Sequence, residues 1–313
     1  MLSRRLLRIK VVKALYAHFQ SQSDSVEVSE KNLLYSIDKC YDLYFQMLWL
    51  VVEVARYARE RIEIARNKKL PTAEDLNPNT KFIDNAVVHR LETSEAVTSY
   101  LEKHALGWND YPELIKELYG TLIASDYYKE YMAKPGHNFR DDVKLVQRFY
   151  SDPALEESET LETVLEEQSI YWNDDLGFAL IMVERTLETC RARLEEIPVL
   201  PEFKSDDDLG FAKTLFRRSV EEYAQNLRYI ERFTKNWDVE RIAFMDNLIM
   251  ATAITELITF DSIPVKVTLD EYIEIAKYYS TPGSNMFING VLDRIVEALE
   301  KDGLIHKSGR GLL

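Results

Sequence analysis

Five histidines, at positions 18, 89, 104, 137 and 306, lie too far apart for metal-ligand spacing. No glycine-rich phosphate loop, Walker lysine, His-Glu-x-x-His or Cys-x-x-Cys is present. Paired carboxylates occur only as runs along helix surfaces, such as "ESETLETVLEEQ" at 157–168. The residues therefore point away from catalysis, cofactors and metals. What remains is cationic. Arg4, Arg5, Arg8, Lys10 and Lys13 precede the first acidic residue, Asp24, in a chain whose net charge is −14. Cations at this density suit phosphates, because each contact releases condensed counterions. A second candidate feature is the aromatic Phe287 after "STPGSNM", a position from which a ring could stack on an unpaired base or pack into a core.

The elements that must carry these residues read as helices throughout. Glycine (10) and proline (9) are scarce among 313 residues, so turns are few and helices long. "SRRLLRIKVVKALYAHFQ" (3–20) has Ser3 as a cap and an apolar stripe of Leu7, Val11, Ala14, Leu15 and His18. A long helix is expected from Ser29 to about Lys68, and a linker at 68–79. Further helices are expected at about 79–104, 111–132, 139–150 and 157–168. "DDLGFA" occurs at 174–179 and 207–212, with a looser "YDLYFQ" at 41–46. Reused helix-start chemistry explains this echo, with a duplicated helical unit as the alternative.

In the last hundred residues a helix runs from Asp207 or Asp208 to about Lys235, and Asn236 caps the next. That helix has a stripe of Ile242, Met245, Ile249, Ala253 and Leu257. Thr268-Leu-Asp-Glu271 has the form of a capping box, and Ser284 of a cap. Asn289-Gly290 is a strong hairpin signal. It falls inside the helical spacing of Phe287, Val291, Ile295 and Leu299, with Gly290 and Arg294 in the same stripe. Gly290 is thus a helix residue, expected where another helix or a partner backbone approaches closely. No apolar run reaches membrane-spanning length; Leu43 to Ala55 is too short and contains Glu53. Cys40 and Cys190 read as unpaired thiols in a reducing cytoplasm, with no signal peptide ahead of them.

The string "NWDVERIAFMDNLIMATAITELITFDSIPVKVTLDEYIEIAKYYSTPGSNMFINGVLDRI" (236–295) resembles the NusB family of transcription antitermination factors. "MFINGVLDRI" is similar to the family's K-F-V-N-G-V-L-D-K-I, and "RRLLRIKVVKALYAHFQ" to its basic first helix. The resemblance covers about 1–22 and 205–300. It implies an all-α fold of NusB-like helical bundles without enzymatic activity. In domain terms, a helical N-terminal region (1–204, holding the basic helix 1–22 and an acidic extension) precedes a C-terminal core (205–313) that packs with helix 1–22.

The resemblance further implies binding of boxA-like single-stranded RNA from ribosomal RNA leaders, together with NusE, a ribosomal small-subunit protein, in the RNA polymerase antitermination complex. Carried onto this chain, Arg4, Arg5 and Arg8, with Lys10, would meet phosphates. Phe287, grouped with Asn289, would lie at a base-contacting edge. Tyr16 and Glu256 would face the protein partner, although a carboxylate beside an apolar stripe is also served by an internal hydrogen bond. Gly283 stands where the family often has an acid, and Met286 where it tends to have lysine. A scaffold that keeps the fold with weakened RNA binding is the alternative. The basic stretch Arg56, Arg59, Arg61, Arg66, Lys68 and Lys69 reads either as an RNA track or as a salt-bridged helix face. NusB-like domains are also found fused to RNA-modifying methyltransferases, but no matching glycine-rich strand–turn–helix occurs here.

Overall fold

The computed structural model describes residues 1–21, 25–234 and 242–308. Among these, the chain forms fifteen α-helices and no strand, as the scarcity of turn residues requires. Two compact units result. One comprises residues 1–2 and 38–202, and the other 3–37 and 203–308 of the described chain.

The second unit is built from α1 (Arg4–Gln20), the start of α2 (Val26–Arg66), α12 (Asp207–Phe233), α13 (Phe244–Thr259), α14 (Val265–Tyr279) and α15 (Ser284–Lys301). Ser3 caps α1 by accepting from the Leu6 amide at 3.2 Å. Helix α13 is the centre, packed by α1, α12, α14 and α15. It is buried on every side from Leu248 to Leu257, not along one stripe as the spacing suggested. A helix enclosed all round must satisfy its polar groups internally. Asn226 of α12 donates to the Ala251 carbonyl and to Thr255 Oγ1, at 3.1 and 2.8 Å. Lys307 donates to the Leu257 and Phe260 carbonyls at 2.7 and 2.9 Å, covering the end of α13. The expected Asn236 cap lies outside the described residues.

In the first unit the remainder of α2 is the core. The run from Leu43 to Ala55 is a buried helix rather than a membrane segment, and among the described residues no helix is long and apolar enough to cross a membrane. Its backbone is gripped by surrounding side chains. Trp172 Nε1 donates to the Lys39 carbonyl (2.7 Å), Trp108 Nε1 to Gln46 (3.0 Å) and the Tyr150 hydroxyl to Met47 (2.6 Å). Around it lie α4 (Ala86–Thr93), α5 (Glu95–His104), α6 (Pro112–Ala124), α7 (Asp126–Ala133), α8 (Phe139–Tyr150), α10 (Glu159–Gln168) and α11 (Leu176–Thr189). Two single-turn helices, α3 (Ala73–Leu76) and α9 (Pro153–Glu156), complete the series. The expected linker at 68–79 thus contains α3, started by a true capping box between Thr72 and Asp75.

The repeated "DDLGFA" does not work as a cap. Helices α11 and α12 both start without a side-chain cap bond. Instead the second aspartate of each copy, Asp175 and Asp208, is buried, as is Asp42 of the looser copy. Asp175 accepts from Cys40 Sγ at 2.7 Å, Asp208 from Arg4 Nε at 2.9 Å, and Asp42 from the Tyr100 hydroxyl at 2.8 Å. The echo therefore marks a buried acceptor followed by a core-facing stripe.

Candidate nucleic-acid interface

The cationic helix α1 presents its residues in three different ways. Arg8 is 3% exposed, and its guanidinium clasps Glu256 through Nε–Oε2 at 2.8 Å and Nη2–Oε1 at 2.7 Å. Glu256, on α13, is 0% exposed and accepts further from Thr268 Oγ1 (2.9 Å) and the Tyr272 hydroxyl (3.1 Å) of α14. All of its lone-pair capacity is thereby used, as a buried carboxylate requires. Burial opposes the charge on Arg8, but the hydrogen bonds and negative charge of Glu256 hold its pKa above the ordinary arginine value. Burial and the same carboxylate push the Tyr272 phenol well above its usual range, so it stays a donor.

Arg8 and Glu256 thus form an internal clasp joining α1, α13 and α14, and neither side chain faces solvent. This corrects the expectation that Arg8 meets phosphate and resolves the alternatives for Glu256 toward the internal partner. Lys10 is also buried, at 4% exposure, and does not offer its ammonium at the surface. Arg4 and Arg5 do reach solvent, their side chains being 39% and 48% exposed. Both are held from beneath: Arg4 by Asp208, and Arg5 by Glu271 through paired contacts of 2.8 and 3.0 Å. The Arg4 and Arg8 guanidinium groups lie 5.2 and 5.3 Å from the Phe211 ring centroid.

Thr268 and Glu271 do not form the capping box that their spacing suggests. Helix α14 begins earlier, at Val265, with Pro264 in extended conformation as its N-cap residue. Both residues consequently lie inside the helix and serve α1 instead: Thr268 holds Glu256, and Glu271 holds Arg5. Thr268 and Tyr272 stand four residues apart, so one helix face brings both to Glu256. That spacing was the signal available for two site residues the sequence reading missed.

The other edge begins at α15. Asp246 Oδ2 accepts from Ser284 Oγ at 2.9 Å, and its Oδ1 accepts from Ser280, tying the 280–284 loop to the start of α13. Ser284 is therefore a tether, and Gly283, with φ of 90°, is the N-cap residue. Within α15, Ile288, Val291, Leu292 and Ile295 are buried; Phe287 is half-buried. Met286 is 75% exposed, and Asn289, Gly290 and Arg294 are exposed beside it. A Cβ built on Gly290 meets nothing within 4 Å. The expected close approach of another helix is absent there, and Gly290 and Arg294 belong to the outer face rather than the core stripe.

Contacts between α1 and α14 define how the two edges are related. Arg5 meets Glu271, and Lys13 lies 5.0 Å from the Tyr279 ring centroid. Both steps span eight residues, so the helices run side by side in the same direction and the two contacts are about 12 Å apart. Tyr279 immediately precedes the loop into α15. The cation nearest to that edge along α1 is therefore Lys13, which the sequence reading counted but did not assign. Tyr16, one turn further, is 40% exposed and packs edge-on to Phe244 at 5.7 Å between centroids.

These residues lie largely within a recognisable segment. Residues 182–297 match the NusB family model. The chain is similar to transcription antitermination protein NusB of Salinibacter ruber, 49% identical over 84 residues, which are 27% of this chain and 52% of that protein. Similarity to the Chloroherpeton thalassium protein of the same name is 44% over 85 residues, covering 27% of this chain and 40% of that one. For the Natranaerobius thermophilus protein it is 41% over 73 residues, 23% of this chain and 52% of the relative. The chain thus spans about half the length of the curated relatives it matches. A solved structure titled T. maritima NusB aligns with 28% identity over 44% of this chain and 85% of that one, at a TM-score of 0.29. The likeness to the NusB family thus lies in residues 182–297, with a further helical region ahead of that segment.

Proposed function

We propose that this chain is a non-enzymatic, RNA-binding transcription antitermination factor acting in the cytoplasm. In this reading it binds boxA-like single-stranded RNA of ribosomal RNA leaders, together with NusE, within the RNA polymerase antitermination complex. The observation that carries the reading is the match of residues 182–297 to the NusB family model, beside similarity over 73–85 residues to curated antitermination proteins. Arg4 and Arg5 supply the phosphate contacts from one end of α1. Phe287 and Asn289 supply base contacts from the start of α15, with Lys13 as the nearest cation of α1. Tyr16 belongs to the NusE-facing surface. Arg8 and Glu256 act indirectly, by fixing α1 on α13 and α14.

One observation favours a second reading, a protein-interaction scaffold with the same fold and weakened RNA binding. Arg4 and Arg5 are already paired with Asp208 and Glu271, so phosphate must compete with carboxylate for each. Met286 also offers a thioether where the family tends to place a lysine. Fluorescence anisotropy with labelled boxA RNA, titrated across salt with and without NusE, separates the two. The antitermination reading expects salt-dependent binding that tightens with NusE; the scaffold reading expects NusE binding without RNA binding.

A further inference from the structure

The first unit carries a cleft between α8, which the family match does not reach, and the end of α11, which lies inside it. It has a volume of about 770 Å³, and its charged lining comprises Arg140, Asp141 and Lys144 of α8 with Glu188 and Arg191 at the end of α11, beside Phe139. Helices α8 and α11 pack directly on one another, so these groups are fixed in place by the fold of one unit. On α8, Arg140, Lys144 and Arg148 recur every four residues, about 6 Å apart along the axis. The apolar residues between them, Leu145, Val146 and Phe149, are buried, which turns the cations outward. A smaller depression continues past Lys144 to Arg148 and Lys134.

Arg148 pairs with Glu130 at 3.7 Å, and Asp141 and Glu188 share the lining, but Arg140, Lys144 and Arg191 form no ion pair of their own among the described residues. Most of the basic stretch at the end of α2 is ion-paired: Arg56 and Arg59 with Glu92, Arg66 with Glu63, and Lys68 with Asp75. Four of its six cations thus belong to a salt-bridged face. Among the described residues, Arg140 and Lys144 have no such ion pair, and Arg191 donates only to the Glu188 and Cys190 carbonyls at 2.6 and 2.8 Å. Arg90 braces the cleft wall through the Arg191 and Ala192 carbonyls, both at 2.9 Å, and lies 4.4 Å from the Phe139 ring centroid. Asp141, in the lining, is engaged by Lys134 at 2.9 Å and also feels the charge of Lys144. Cations without an ion pair beside an aromatic ring match the backbone and a base of an extended single strand. The acidity of the rest of the chain acts weakly here, because exposed charges beyond about 8 Å are screened at physiological salt.

We propose that this cleft is a second single-stranded RNA site, in which Arg140, Lys144 and Arg191 contact successive phosphates and Phe139 meets a base. The proposal rests on the RNA-binding reading of the protein but assigns the contact to a different unit. It gives the first unit an RNA contact of its own.

The test uses the full chain and a labelled single-stranded RNA of mixed sequence, titrated over salt. Each phosphate contact contributes about 0.7 to the slope of log K against log salt. The variant Arg140→Gln/Lys144→Gln/Arg191→Gln is expected to lower that slope by about 2 and to weaken binding by on the order of tenfold or more at 0.15 M salt. Because Arg191 also caps α11, Arg140→Gln/Lys144→Gln serves as the second variant, with a slope lower by about 1.4. Photo-cross-linking with 4-thiouridine RNA should label the peptide spanning 139–148.

Wild-type slope and affinity in both variants, with cross-links confined to 1–20 and 284–297, overturn the cleft while leaving the α1 face standing. Weakened binding in the cleft variants with no effect of Arg4→Gln/Arg5→Gln supports the cleft and removes the α1 face. A wild-type chain that binds no RNA removes both.

Discussion

Arg8 and Glu256 are 248 residues apart in sequence and meet through two parallel hydrogen bonds of 2.8 and 2.7 Å in the interior. This pair explains why a basic first helix must accompany the C-terminal segment. Without Arg8, Glu256 would be a buried carboxylate left with two neutral donors. Without Glu256, Arg8 would be a buried cation left with only the longer contact to Glu271 at 3.9 Å.

Breaking one side of such a pair is far costlier than a surface change. Glu256→Ala and Arg8→Ala should each destabilise the fold by about 3–5 kcal/mol. Arg5→Ala removes a half-exposed pair and should cost about 1 kcal/mol or less. Urea denaturation of the three variants checks the ranking. If Arg8→Ala unfolded no more readily than Arg5→Ala, the clasp would not be structural. Loss of RNA binding on substituting Arg8 therefore says little about phosphate contact, whereas Arg5 is a cleaner probe, and Arg4→Gln leaves buried Asp208 its bonds from the Lys204 and Ser205 amides.

Gly290 sits on the exposed face of α15 with no neighbour to exclude a side chain. Its conformation is ordinary helix, since its φ is not positive. Gly290→Ala should accordingly stabilise the isolated protein by about 0.5–1 kcal/mol. Thermal denaturation measures this. If a bound partner needs close backbone approach there, the same substitution will weaken that partner's binding while raising the melting temperature. Destabilisation would contradict the open environment described.

Glu202 closes the first unit, where its carbonyl accepts from the Leu2 amide at 2.7 Å and its carboxyl hydrogen-bonds with Asp38. Burial, then the nearby charges of Asp38 and Asp42, push its pKa up to about 7. The folded state therefore holds a proton that the unfolded chain releases near 4.5. Folded-state proton binding in excess makes stability fall as pH rises from about 4.5 to 7, after which the penalty is constant. Solvent screening at this partly exposed group reduces its size to about 1–2 kcal/mol. Glu202→Gln should remove that component, so its advantage over wild type appears at pH 8 and vanishes at pH 4.5. Equal differences at both pH values would contradict the assignment.

The all-helical fold was legible because few glycines and prolines leave little else, and because α1, α2, α8 and α10 have clear periodicity and caps. The family resemblance was legible in "MFINGVLDRI" and its neighbours. What spacing could not show was which polar groups the tertiary fold would bury. Arg8 and Lys10 look like Arg4 and Arg5 in sequence, but one turn of helix carries them from surface to interior. Thr268 and Glu271 have the spacing of a cap, yet Pro264 starts the helix sooner and frees both for long-range partners. The aspartates of "DDLGFA" likewise look like caps and are buried acceptors. The cleft beside α8 was hidden for a different reason: its cations are ordinary in sequence, and only the tertiary fold shows that Arg140, Lys144 and Arg191 meet in one cleft without ion pairs of their own.

The most direct measurement of the central claim compares wild type with Arg4→Gln/Arg5→Gln in binding to boxA-like single-stranded RNA across salt, with NusE present. Two lost phosphate contacts should lower the slope of log K against log salt by about 1.4. Binding should weaken at physiological salt while the melting temperature stays within a few degrees. Unchanged slope and affinity in a folded double variant would contradict the assignment of an RNA-binding face to α1.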